Sequence, residues 1–143
     1  LKEDLSRRDF TMNAIAYDPF ADSLIDPFNG VRDIVERTIR CVGDPYQRFE
    51  EDALRMLRAV RFSTKRGPGN WFWIEPETAN AIRTKAANIT KISSERIKSE
   101  LDKILESEVP FRGINVLSLT GLMLHILPEL QNTKNCEQRN PHQ

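Results

Sequence analysis

Over residues 44–127 apolar side chains recur every three or four positions, the interval that gathers them on one face of an α-helix. Ala53, Met56, Leu57 and Val60 form the first such stripe and predict a helix from Asp44 to near Arg66. Asp44 suits its N-cap, Pro45 its first helical position, and Gln47 stands where a capping-box partner would. Gly67-Pro68-Gly69 should stop it. A second helix follows Pro76 on Ala79, Ile82, Ala86 and Ile89. Ile92 and Ile97 bracket an N-cap at Ser93, and Ile97, Leu101, Ile104 and Leu105 make the stripe of a third helix. A fourth begins near Pro110, carries Ile114, Leu117 and Leu119, and ends at Gly121, leaving a short final turn before Pro128. The aromatic segment from Trp71 to Ile74 reads as extended chain covering the helices, or as a surface on which bases could stack.

Residues 1–43 follow other periods. Ser6 predicts a cap with Asp9 three residues on, and Leu5 and Phe10 stand at the two positions of a hydrophobic staple, so a short helix is expected from Arg7. Residues 14–17 and 23–26 predict a β-hairpin around a turn rich in Asp and Pro. Asp18, Asp22 and Asp26 recur every four residues, but Pro19 and Pro27 oppose a helix and make them turn aspartates. A helical piece over residues 31–37 and a strand over 39–42 complete this part. The fold expected is α+β: a small mixed region, then helices only, with a boundary at Gly43 or Asp44.

Charge and composition narrow the function. Among 143 residues, 21 are Lys or Arg and 21 Asp or Glu, so any nucleic-acid role must rest on a local basic cluster rather than on overall charge. With 39% hydrophobic and 29% charged residues the chain is globular, and no apolar run approaches the roughly 18 residues of a membrane span. Cys41 and Cys136 are far apart, with no partner at metal-ligand spacing, which makes a reducing, cytoplasmic setting the expectation. His125, in an apolar stretch, reads as a core or partly buried histidine, and His142 lies at the end of the chain. Glycine-rich phosphate loops, nucleophile elbows and zinc spacings are absent from the sequence.

Two runs could carry chemistry. In EEDALRMLRAVRF, residues 50–62, a continuous helix would put Asp52 and Arg55 on one face, with Arg58 and Arg61 extending a slowly drifting basic ridge. An acceptor beside forked donors could pair with a base edge, and further arginines suit phosphate oxygens. Ordinary ion pairs on a solvated helix face are the other reading of the same spacing. In DLSRRDFTMNA, residues 4–14, Arg7 and Arg8 would lie in the first turn of the expected helix, where backbone N–H groups favour an anion. Surface arginines beside a capping box are the alternative there.

In this order and spacing the two runs, with LIDPFNGVRDI between them and ISSERIKSELDKIL and GLMLHILPEL beyond, resemble the class II tRNA nucleotidyltransferase and bacterial poly(A) polymerase family. The resemblance covers nearly the whole chain. It implies the C-terminal remnant of a nucleotidyltransferase α/β head domain at residues 1–43, an all-α helical neck at 44–130, and a linker at 131–143. DLSRRDFTMNAIAYD resembles the ribose and nucleotide-binding motif of that family, and RFEEDALRMLRAVRF its base-selecting EDxxR motif.

By that resemblance Asp52 and Arg55 would be an amino-acid template accepting CTP and ATP and rejecting other bases. Arg58 and Arg61 would support the nucleotide and its phosphates, and Arg8 would reach it from the head side with Asp9 and Asn13 nearby. The implied reaction is attack of an RNA 3′-hydroxyl on the α-phosphate of a nucleoside triphosphate, helped by Mg²⁺, with tRNA or another RNA 3′ end as partner. The GGxxRD segment and the DxD pair of the family are missing from this sequence. The expectation is therefore a central fragment, with catalytic and metal-binding residues upstream of Leu1, that binds part of a nucleotide at best and does not catalyse. CEQRNPHQ resembles the approach to an HD-type domain, and GPGNWFWIEP is longer and more aromatic than the usual link. A poly(A), CC- or A-adding enzyme shares every motif present, and a non-catalytic RNA-binding module is the alternative from another class.

Overall fold

A computed structural model describes residues 1–128. The expected mixed region is present, with its first helix displaced. Helix α1, Lys2–Ser6, ends where a helix was expected to begin: the Arg7 N–H donates to the Asp4 carbonyl, and Ser6 Oγ donates back to Glu3 O at 2.6 Å. Ser6 therefore closes a helix rather than capping one, and Arg7 and Arg8 have no helix N-terminus beneath them. A 3₁₀ turn, Thr11–Asn13, leads into the expected hairpin, β1 (Ala16–Asp18) against β2 (Ser23–Ile25), antiparallel with Ala16 opposite Ile25. The turn aspartates behave as expected: Asp18 accepts the N–H groups of Phe20 and Ala21, and Asp26 those of Gly30 and Val31. Asp26 thus closes the start of α2, Gly30–Val35, where a Cβ on Gly30 would run into the Thr11 carbonyl.

The strand expected over residues 39–42 is shorter. Only Thr38–Ile39 forms β3, and Cys41 makes an isolated antiparallel bridge with Phe10. The partner of β3 lies far along the chain: Trp73–Ile74 forms β4, parallel to it, with Thr38 opposite Trp73. The aromatic segment is therefore extended, as expected, and pinned by further bonds. Trp73 Nε1 donates to Glu36 O at 3.2 Å, and Arg37 Nη1 donates to Pro68 O at 2.8 Å.

One long helix was expected from Asp44, and two are found. Helix α3, Pro45–Glu51, has the expected cap, with Asp44 Oδ1 accepting from Tyr46 N at 2.9 Å. The chain then turns extended at Asp52 (φ −151°, ψ 104°) and restarts as α4, Leu54–Ser63. Asp52 makes the break locally stable, because its Oδ1 accepts the Leu54 N–H at 3.1 Å, an Asx turn that replaces helical bonding. Helix α4 stops at Thr64, ahead of the expected Gly67, with Thr64 Oγ1 bonded to Arg61 O.

Helix α5, Pro76–Lys85, continues as a 3₁₀ segment, Ala86–Lys91, rather than as α-helix to Ile89. Helix α6, Ser94–Leu105, starts from the expected N-cap Ser93, which accepts from Arg96 N. Helix α7, Pro110–Leu119, ends before Gly121, whose positive φ of 81° suits glycine, and α8 follows at Leu122–Ile126.

Helix α3 packs on α5, α4 on α6 and α7, and α8 on the 3₁₀ segment 86–91. The stripe of α4 is buried as expected at Ala53, Met56, Leu57 and Val60, and so are Ile82, Ile89, Ile104, Leu117 and Leu122. Phe10, Ile39 and Cys41 from the mixed region enter this same core, while Leu5, Ala14 and Val42 form a smaller one. Leu105, Ile114 and Leu119, expected on buried stripes, are exposed, and so is His125, expected to be in the core or partly buried. Leu105 and Ile114 border an open apolar groove between α6, α7 and α8 whose floor includes Ile104 and Leu117. The expectations for Cys136, His142 and the segment 131–143 fall outside the described residues.

Candidate nucleotide-binding site

The break between α3 and α4 puts Asp52 and Arg55 at the edge of an open cleft of about 520 Å³, within the range of small-molecule sites. The N-terminal segment supplies Arg8, Asp9 and Asn13 to its other side, α4 adds Arg58 and Phe62, and α6 adds Arg96. Five arginines against two aspartates line the cleft, a local positive field in a chain of zero net charge.

Three of the five Arg55 N–H groups are held. Nη1 donates to Arg48 O at 3.3 Å and to Glu51 Oε2 at 3.0 Å, and Nη2 donates to Arg7 O at 3.0 Å. These bonds fix the guanidinium plane and tie α4 to the N-terminal segment, and Arg48 Nη1 ties α3 to it through Ser6 O at 3.1 Å. The carboxylate of Asp52 is held on both oxygens, Oδ1 by Leu54 N and Oδ2 by Arg96 Nη2 at 3.0 Å.

Arg58 is aimed by Asp9. Its Nε donates to Asp9 Oδ2 at 2.6 Å, while Asp9 Oδ1 accepts from Phe10 N and Asn13 Nδ2. Asp9 is buried, and three charge-assisted or backbone bonds stabilise its carboxylate there. The guanidinium carbon of Arg58 also lies 5.5 Å from the centre of the Phe62 ring, which meets Phe10 edge-on at 5.8 Å. Arg7 and Arg8 pair with Glu3 and Asp4 on the exposed flank.

Arg61 goes elsewhere. Its Nε pairs with the buried Glu100 of α6 at 2.7 Å, and it lines a separate surface pocket with Lys65, Arg66 and Lys103. Of the residues singled out from the sequence, Arg8, Asp52, Arg55 and Arg58 converge on one cleft, with Asp9 and Asn13, and Arg61 does not join them. Arg96 and Phe62 were not anticipated as cleft residues. Phe62 could have been found as the aromatic next to the ridge, whereas Arg96 lies 44 positions from the carboxylate it holds and carries no local signal.

Among the described residues no group of three or more His, Cys, Asp or Glu could hold a metal ion. Burial pushes the Cys41 thiol up to about 12, which keeps it protonated at neutral pH. No described helix is long and apolar enough to cross a membrane.

Comparison with known proteins gives the family. A family model described as the poly A polymerase head domain matches residues 1–40, and one described as a probable RNA and SrmB-binding site of polymerase A matches residues 72–134. The CCA-adding enzyme of Geobacillus sp. strain WCH70 is 49% identical over 135 residues, covering 94% of this chain and 32% of the relative. A crystal structure of Bacillus stearothermophilus CCA-adding enzyme in complex with CTP superposes with a TM-score of 0.78 at 48% identity, over 84% of this chain and 29% of that one. Thermotoga maritima CCA-adding enzyme complexed with tRNA_CCA gives a TM-score of 0.79 at 34% identity, over 90% of this chain and 31% of that one. The chain belongs to the tRNA nucleotidyltransferase and poly(A) polymerase family. It spans about a third of the length of the relatives it matches.

Proposed function

We propose that this chain carries the base-selecting wall of an enzyme that adds C, C and A to tRNA 3′ ends from CTP and ATP. The observation that carries the proposal is the juxtaposition, at one cleft edge, of an immobilised acceptor, Asp52, and an immobilised donor, Arg55. Cytosine and adenine both present an exocyclic amino donor beside an acceptor ring nitrogen, whereas uracil and guanine present a carbonyl there beside a ring N–H. An Asp–Arg edge pairs with the first two and meets the others with like groups facing like. Arg8 and Arg58 supply charge for the triphosphate, with Asp9 holding Arg58 in place. We assign Arg61, expected on the phosphates, to holding α6 against α4.

On this reading residues 1–43 are the end of the head, 44–130 the neck and 131–143 a linker, and the protein works in the cytoplasm. The Mg²⁺ that the family implies finds no ligand set among the described residues, so their contribution is to bind, orient and select. Basic surface would hold the RNA backbone through its phosphates rather than its bases. The match of residues 1–40 to a poly A polymerase head favours, as a second reading, an enzyme that tails RNA with A alone.

The test is incorporation into tRNA lacking its 3′ CCA by the full-length polypeptide that carries this chain, with CTP and ATP separately and together. Addition of C, C and then A is expected. Tailing with ATP alone would move the assignment to poly(A) synthesis. RNA binding without any incorporation would make the chain part of a binding module.

A further inference from the structure

Base selection by Asp52 depends on where its carboxylate faces, and two elements set that direction. Oδ1 is anchored to the start of α4 through Leu54 N, and Oδ2 is anchored to α6 through Arg96 Nη2 at 3.0 Å. A carboxylate held by one oxygen can still swing about that bond. A second, charge-assisted bond from another element fixes its plane and leaves one acceptor direction of each oxygen open.

The donor is itself well placed. Ser93 caps α6 just before Arg96, Ile97 packs against the core, and Glu100 one turn on is gripped by Arg61 at 2.7 Å. The guanidinium therefore projects from a helix clamped to α4, although its side chain is 51% solvent-exposed and lines the cleft. A mere surface ion pair would be worth little to stability, so its value lies in orientation.

We propose that Arg96 is a specificity-determining positioning residue: by holding Asp52 Oδ2 it aims the carboxylate at the amino group of cytosine or adenine. The inference rests on the reading of Asp52 as part of the base template. Without Arg96, Asp52 turns to accommodate a carbonyl-bearing base through water, and uracil and guanine are admitted.

The experiment measures kcat/KM for CTP, ATP, UTP and GTP with the full-length polypeptide as wild type, Arg96→Ala, Arg96→Lys, Asp52→Ala, the Arg96→Ala/Asp52→Ala double variant and Lys98→Ala. Arg96→Ala should raise UTP use relative to CTP by about tenfold, roughly the discrimination worth of one well-aimed polar contact. Arg96→Lys keeps the charge without the planar fork and should shift the ratio the same way by less. In the Asp52→Ala background, removing Arg96 should change the ratio by less than about twofold, as expected for one coupled unit. Lys98 pairs with Asp102 on the outer side of the same helix, and its loss should leave the ratio alone.

An unchanged UTP-to-CTP ratio in both Arg96 variants, with Asp52→Ala losing discrimination, would overturn the inference and leave the template standing. A lowered melting temperature in Arg96→Ala with the ratio intact would likewise reduce the pair to a structural tie. A wild type that does not discriminate, or an Asp52→Ala enzyme that still does, would remove the template reading itself and this inference with it.

Discussion

Arg58 and Arg61 are one step apart in the same three-residue repeat, yet they serve different neighbours of α4. Arg58 faces the cleft, held by Asp9 from the N-terminal segment and one-third exposed. Arg61 faces α6, paired with a Glu100 that is only 5% exposed. The helix explains the divergence: at about 100° per residue, each step of three falls about 60° short of a full turn. That one step carries the side chain from the N-terminal segment to α6. A basic ridge written at constant spacing is a spiral, and only part of it can face any one ligand.

The comparison breaks most sharply at Arg61. Arg61→Ala would leave Glu100 buried without its main counter-charge and should cost about 3 to 5 kcal/mol in a urea melt. The fraction that remains folded should bind CTP as the wild type does, and weaker binding by that fraction would return Arg61 to the nucleotide site. Leu57→Ala, on the fully buried side of α4, should cost about 2 to 5 kcal/mol through the cavity it leaves. A loss within experimental error would mean that α4 presents another face to the core.

Arg58→Ala should cost only about 1 to 2 kcal/mol, because Phe10 N and Asn13 Nδ2 still hold Asp9. Its effect should appear instead as a roughly tenfold rise in Kd for ATP and CTP, about the worth of one charge-assisted phosphate contact. Equal losses of stability for Arg58→Ala and Arg61→Ala, with binding intact in both, would erase the distinction.

The smallest effect concerns Cys41, buried where the mixed region meets the helices. With its thiol raised from 9.0 to about 12, the folded state keeps the proton that the unfolded state releases above pH 9. Stability should accordingly decline as pH rises through that window. In a Cys136→Ser background, Cys41 should resist alkylation at pH 8 until urea unfolds the chain, and rapid labelling of the folded protein would show that this junction opens readily.

What could be read from the sequence follows how local each signal is. Asp44, Ser93 and Gly121 act on their own backbone neighbourhoods, so three helix ends could be placed from a few residues each. The stripe of α4 was legible because periodic burial needs no knowledge of the partner. Ser6 misled because a hydroxyl serves equally well at the end of a helix, donating to Glu3 O, as at its start. The interruption at Asp52 was hidden among good helix formers, although an aspartate two residues before an apolar run is itself an Asx-turn signal. Arg8, Asp52, Arg55 and Arg58 were marked as site candidates by motif, but the guanidinium of Arg96 reaches the cleft only through the packing of α6 on α4.

The short parallel ladder between β3 and β4 has a consequence for how the molecule forms. Its bonds, with the Arg40 to Glu75 ion pair alongside, join segments 35 residues apart, and the chain between them must be gathered before any of these contacts can act. Helices α3 to α5 can nucleate from local contacts, while the mixed region has too small a core of its own to persist without them. The two parts should therefore unfold in one cooperative transition. The Trp73 and Glu75 amides, which donate to Arg37 O and Ile39 O, should exchange their hydrogens only as slowly as the helices on which they lie, and together with them.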